Sequence, residues 1–126
     1  MIADERNSDR STNKPLVLLH GEIRTPPLSI EARKEAGHLL RLLQQGESLG
    51  MPCSRPMPLI GPRCHELRIN GTNVTWRIFY RIDDDAILVA GVEVKKTQKS
   101  PKPLLDTVRE RLRRYDRTAE ISDEEV

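Results

Sequence analysis

Between Val94 and Pro103 the chain reads VKKTQKSPKP, which puts Lys95, Lys96 and Lys99 within a few residues of one another. Lysine ammonium groups bind phosphate as compact point charges, and arginine guanidinium groups bind it through a planar, two-pronged contact. Arg68 lies in CHELRIN and Arg77 and Arg81 in VTWRIFYRID, the two segments upstream, and Arg63 immediately precedes the first of these. Cations gathered on neighbouring strands and at the turn that follows them suit the binding of a phosphate. The plain alternative for the lysines is a solvated turn. His65, His20 and His38 read as structural or surface residues, and His20, Cys53, Cys64 and His65 lack the spacing of metal ligands. No metal and no cofactor is expected.

The elements that must hold these cations follow from hydrophobic periodicity. PLVLLHGEI (15–23) reads as a strand whose near-continuous apolar run calls for cover on both faces. Ser29 is a helix N-cap, and Ala32, Ala36, Leu39, Leu40 and Leu43 form one helical stripe that Gly46 ends. Residues 47–63, with four prolines, read as an irregular connector. CHELRIN (64–70) and VTWRIFYRID (74–83) flank NGTN, a hairpin signal, and AILVAGVEVKK (86–96) pairs next. A last helix opens at Ser100 with Pro101 in its first turn. It lays Leu104, Leu105, Val108, Leu112 and Tyr115 on the sheet and turns Arg109, Arg111, Arg113 and Arg114 outward. The expected fold is α+β, with the helices packed on one face of a sheet.

Alternation along the hairpin separates two faces. Pairing Ile69 with Val74 sets Leu67 opposite Trp76, Glu66 opposite Arg77 and Arg68 opposite Thr75. Leu67, Ile69, Val74, Trp76, Ile78, Tyr80 and Ile82 then form the core face. Glu66, Arg68, Thr75, Arg77, Phe79 and Arg81 form an open face suited to a strand of RNA, which guanidinium groups grip and aromatic rings stack on. On the third strand, strict alternation brings Lys96 to the arginine face, and a bulge near Gly91 brings Glu93 and Lys95 there instead.

Composition is compatible with such a partner. The body, residues 15–115, carries 17 basic against 11 acidic side chains, while residues 116–126 carry five acids and one arginine. A basic body favours an anionic partner, nucleic acid first. No run approaches the length of a membrane span, residues 1–14 lack the apolar segment of a signal peptide, and two cysteines without a pairing pattern fit reduced thiols. The expectation is a cytoplasmic protein with a disordered arm (1–14), one domain (15–116) and a flexible acidic tail (117–126).

The strings HELRI, TWRIFY and KKTQKSP, in that order, resemble the RelE/ParE superfamily of bacterial toxins, and most closely its HigB-like, phage-related branch, over about residues 15–115. The resemblance implies a small twisted, mainly antiparallel sheet with an N-terminal helix or helices and a C-terminal helix. It implies a toxin of a type II toxin–antitoxin system, an mRNA interferase that cuts mRNA in the ribosomal A site without a metal and so inhibits translation. The implied partners are that mRNA and a cognate antitoxin, commonly a helix-turn-helix protein. By motif, Arg77 would bind the scissile phosphate, Lys95 or Lys96 would stabilise charge or act as the acid, and Tyr80 is a further catalytic candidate. Arg63, Arg68, Arg81 and Lys99 would track the RNA backbone. The chain departs from the branch at GVEVKK, where Val92 and Glu93 stand in place of an aromatic and the segment is one residue longer. A ParE-like poison of DNA gyrase and a catalytically inactive RNA- or antitoxin-binding relative are the alternatives.

Overall fold

A computed structural model describes residues 13–20, 23, 27–71, 74–94 and 102–125. The elements run β1 (Leu16–Leu18), α1 (Ile30–Gln44), β2 (Ser54–Pro56), β3 (Cys64–Asn70), β4 (Thr75–Ile82), β5 (Ile87–Val94) and α2 (Lys102–Glu125). Among the described residues a five-stranded sheet has the order β1-β5-β4-β3-β2; β1 and β5 pair in parallel and the other neighbours antiparallel. This α+β arrangement is consistent with a RelE-like fold.

Helix α1 forms where its capping chemistry places it. Ser29 Oγ accepts a hydrogen bond from Ala32 N at 3.1 Å, and Glu31 sits in the first turn, where the helix dipole favours an acid. The stripe Ala32, Ala36, Leu39, Leu40 and Leu43 is buried against Leu67, Ile69, Trp76, Ile78, Tyr80, Ile87 and Val89. Gly46, at φ +91°, takes the left-handed conformation that lets the chain leave the helix.

Helix α2 packs on the other face, and this corrects the expectation that both helices share one. Leu105, Val108 and Leu112 form a second core with Phe79, Leu88, Ala90 and Cys64. The face carrying Arg77, Phe79 and Arg81 is therefore not open. Arg77 is 2% exposed and Phe79 fully buried. The reason is visible in the sequence. Phe79, Leu88 and Ala90 give this face an apolar patch that needs cover as much as the α1 face does. At its far end α2 runs through residue 117, where an acidic tail was expected to begin, and continues to Glu125.

Two further corrections concern strand pairing. Ile69 lies opposite Trp76, Leu67 opposite Ile78 and Arg68 opposite Arg77, two residues from the expected register. Pairing persists to Gly71, whose N donates to Val74 O at 2.7 Å, so the ladder runs further than one that ends at an Ile69–Val74 pair. A two-residue shift preserves alternation, so both faces keep their expected members. In β5, Phe79 pairs with Gly91 and Tyr80 with Val89, which leaves Ala90 as the bulged residue. Its carbonyl accepts from Arg111 Nη1 at 2.8 Å. Arg111 thus reaches into the sheet instead of lining the outer face of α2.

Candidate nucleic-acid interface

The arginines expected to act together divide into two groups at opposite ends of β4. The first is built by β2, β3 and β4. Arg68 and Arg77 face each other across β3 and β4, and Arg77 also faces Glu93 on β5. The bulge at Ala90 produces that last pairing and sets Glu93 on the arginine face. Glu66, two residues before Arg68, belongs to the same face and is fully buried. Its Oε1 accepts from Arg68 Nε at 3.0 Å and its Oε2 from Arg55 Nη2 at 3.2 Å.

Arg55 is a member of this group that the sequence reading missed. It lies in β2, directly opposite Glu66, within a stretch read as irregular. The available signal was slight: a three-residue strand ending in proline shows no alternation to detect. Lys95, Lys96 and Lys99 lie outside the described residues. The strand that leads to them ends at Val94, opposite Trp76 and next to the Arg77–Glu93 pair.

The second group closes the other end of the sheet. Arg81 Nε and Nη2 donate to the two oxygens of Asp83 at 2.8 and 2.9 Å, and Nη1 and Nη2 donate to those of Asp116 at 3.1 and 2.7 Å. Two bidentate ion pairs occupy this guanidinium, so Arg81, expected to follow an RNA backbone, instead ties α2 to the sheet. The Asp116 contact first, and Asp83 next, push the Arg81 pKa up against the effect of burial. Reciprocally, the Arg81 hydrogen bond holds the Asp116 carboxyl below the usual carboxylate range. Arg63 is more exposed and stands 3.4 Å from Asp83. It has a left-handed φ of 63°, which a non-glycine residue adopts at some cost. It borders a cleft of about 330 Å³ with Arg81, Arg109, Arg113 and Asp116.

Tyr80 belongs to neither group. It projects to the α1 face, where its hydroxyl and Ser54 Oγ share a 2.6 Å hydrogen bond and its ring stacks on His65 at 5.3 Å between centroids. The sheet separates it from Arg77. Burial raises the phenol pKa and lowers that of His65. Burial likewise pushes the Cys64 thiol up, despite nearby Arg81 and Arg63. Among the described residues no three His, Cys, Asp or Glu side chains converge as metal ligands, and no helix is long and apolar enough to cross a membrane.

A family model described as phage derived protein Gp49-like (DUF891) matches residues 26–113. The chain belongs to this Gp49-like family. Gp49-like proteins form part of the RelE/HigB-like toxin family. The matched span includes both arginine groups and the Lys95–Lys99 segment of this Gp49-like protein. No curated protein and no solved structure matches the chain.

Proposed function

We propose that this Gp49-like protein is a HigB-like toxin of a type II toxin–antitoxin system and cuts mRNA in the ribosomal A site. The observation that carries this reading is the grouping of Arg68 and Arg77 beside the strand that runs into Lys95, Lys96 and Lys99. RNA cleavage through the 2′-hydroxyl needs that hydroxyl deprotonated, the charge of the pentavalent phosphorane stabilised and the 5′-oxygen protonated. In this scheme Arg77, 2% exposed, stabilises the phosphorane by its charge from beneath the surface instead of gripping the scissile phosphate directly. As the 2′-oxygen bonds to phosphorus its proton passes to solvent, and Lys95 or Lys96 stabilises charge or donates a proton to the 5′-oxygen whose bond to phosphorus breaks, leaving a 2′,3′-cyclic phosphate. Arg68 and Lys99 hold the adjoining backbone, and Arg63, at the other end of the sheet, is a more distant backbone contact. Tyr80 and Arg81 have no part in it, because one faces α1 and the other is held by two carboxylates. A cognate antitoxin silences the toxin.

Glu93 opposite Arg77 supports a second reading, a relative that binds RNA without cutting it, since a carboxylate there offsets the cation that a phosphate needs. Inducible expression in a bacterial host separates the two. Wild type and Arg77→Ala/Lys96→Ala are compared, and mRNA 5′ ends are mapped after induction. New in-frame ends with wild type alone support the nuclease. Neither arrest nor new ends with wild type supports the relative that binds without cutting, growth arrest without new ends points to a gyrase poison, and wild-type potency in the double variant refutes the assigned site.

A further inference from the structure

We propose that Glu66 is a positioning residue that sets Arg55 and Arg68 side by side as a phosphate bracket, and that this bracket holds the RNA backbone next to Arg77. The inference rests on the RNA reading above for its substrate class. It adds an element, β2, and two residues that neither the sequence motifs nor the family match assigns.

Glu66 is fully buried and sits in the middle strand of the three that build the group. A carboxylate removed from water at that position is costly unless cations satisfy it. Two do, one on each oxygen: Arg55 from the edge strand and Arg68 from its own strand. Each arginine spends one side of its fork on Glu66. The arginine side chains remain partly exposed, at 32% for Arg55 and 24% for Arg68, while the carboxylate is hidden beneath them. The group presented outward is thus a pair of guanidiniums with donors left over. Arg55 Nε is buried with no hydrogen-bond partner among the described residues, so the Glu66 contact is the described polar anchor of this side chain. Three guanidiniums against Glu66 and Glu93 leave the group positive before the adjacent lysines are counted.

An edge strand that carries one bracket arm also explains why so short a strand matters. Only the Arg55–Glu66 pairing brings this arginine to the face of Arg77. Single-stranded nucleic acid follows a positive groove through its phosphates, with little dependence on sequence. The bracket is accordingly expected to take the phosphodiester backbone and no particular base.

The test uses the full chain and a short single-stranded RNA with 2′-O-methyl sugars, which cannot be cleaved, so binding is read apart from catalysis. Affinity is measured by fluorescence anisotropy across a salt series. Arg55→Ala is expected to weaken binding and to flatten the logarithmic salt slope by about 0.7, one phosphate contact on a single strand. Glu66→Gln supplies the discriminating sign. It makes the protein more positive, so a Glu66 that merely dilutes the positive charge would, when replaced, give tighter binding. A positioning Glu66 gives weaker binding, by about threefold or more, and Arg55→Ala added to Glu66→Gln then costs little further because the two act as a unit. Equal or tighter binding by Glu66→Gln overturns the proposal, as does an unchanged salt slope in Arg55→Ala. Thermal melts establish that each variant is folded. If Glu66→Gln does not fold, Arg55→Ala and Arg55→Lys carry the test, with Lys expected to keep the slope and lose affinity. RNA binding that follows this pattern without new mRNA ends in cells leaves the bracket standing and refutes only the nuclease reading.

Discussion

Replacing Tyr80 by phenylalanine decides whether this tyrosine serves chemistry or structure. The hydroxyl it removes is bonded at 2.6 Å to Ser54 Oγ, and both residues are 2% exposed. A typical internal hydrogen bond contributes about 1 kcal/mol, and a buried polar atom left without a partner costs about 1–3 kcal/mol. Tyr80→Phe strands the smaller hydroxyl of Ser54 and is expected to cost about 1–2 kcal/mol. Ser54→Ala strands the phenol deeper in the core and is expected to cost at least as much. The double variant replaces both partners by apolar groups, so it should cost clearly less than the sum of the singles, with a coupling of about 1 kcal/mol. For a chain of this length each kcal/mol lowers Tm by roughly 3–5 °C. Urea melts with unchanged m values give the free energies, and the mapping of mRNA ends gives the activity. Tyr80→Phe is expected to lose stability and, at a temperature where it remains folded, to keep any cleavage the wild type shows. Full stability with abolished cleavage would refute the structural assignment and place Tyr80 at the reacting phosphate.

Asp116→Asn should loosen α2 from the sheet by about 1 kcal/mol, a charged hydrogen bond discounted for a carboxylate that is half exposed. It should also reduce sensitivity to acid. The folded Asp116 pKa is depressed, so its contribution is complete above the unfolded value of about 3.9 and is lost as pH falls through the lower folded value. The stability gap between wild type and variant should therefore narrow below about pH 4 in melts across that range, and a constant gap would count against the ion pair. Gly91→Ala would place a Cβ 3.3 Å from Val108 Cγ2 and 3.5 Å from the Phe79 ring. A stability loss of about 1–2 kcal/mol is expected from this overpacking, read by urea melts. Ser29→Ala removes the α1 cap and should cost about 1 kcal/mol, with a matching decrease in Tm.

The parts of the fold that could be read in advance are those fixed by local signals. Ser29 and the Ala32–Leu43 stripe specify α1 through capping and periodicity, and strict alternation specifies β3 and β4. The hairpin register is not legible, since a two-residue slide keeps every side chain on its face and only the Gly71–Val74 hydrogen bond distinguishes the two pairings. The side of the sheet that α2 covers is hidden in the sequence because Arg77 and Arg81 make their face look polar. The buried Phe79, Leu88 and Ala90 beside them outweigh that appearance. For the candidate site, the Arg68–Arg77 pairing follows from strand order once the register is known. Arg55 and the capture of Arg81 by Asp83 and Asp116 depend on contacts between residues distant in sequence, which no spacing rule encodes.

The unpaired Ala90 has a consequence for how this chain tolerates change. Along a strand, facing is a two-step reading frame, and one extra residue shifts that frame for everything downstream. Val92 and Val94 reach the α1 core and Glu93 faces Arg77 only because Ala90 is counted out of the pairing. Deleting Val92, past the bulge, would send Glu93 into the apolar layer opposite Ile78 and bring Val94 up opposite Arg77, with no charged side chain of the site altered, whereas deleting Ala90 itself would leave these pairings as they are. The length of β5 beyond the bulge is thus under a constraint as strict as the identity of the charged residues. An in-frame loss of a single codon there would act on the protein much as a frameshift acts on a gene.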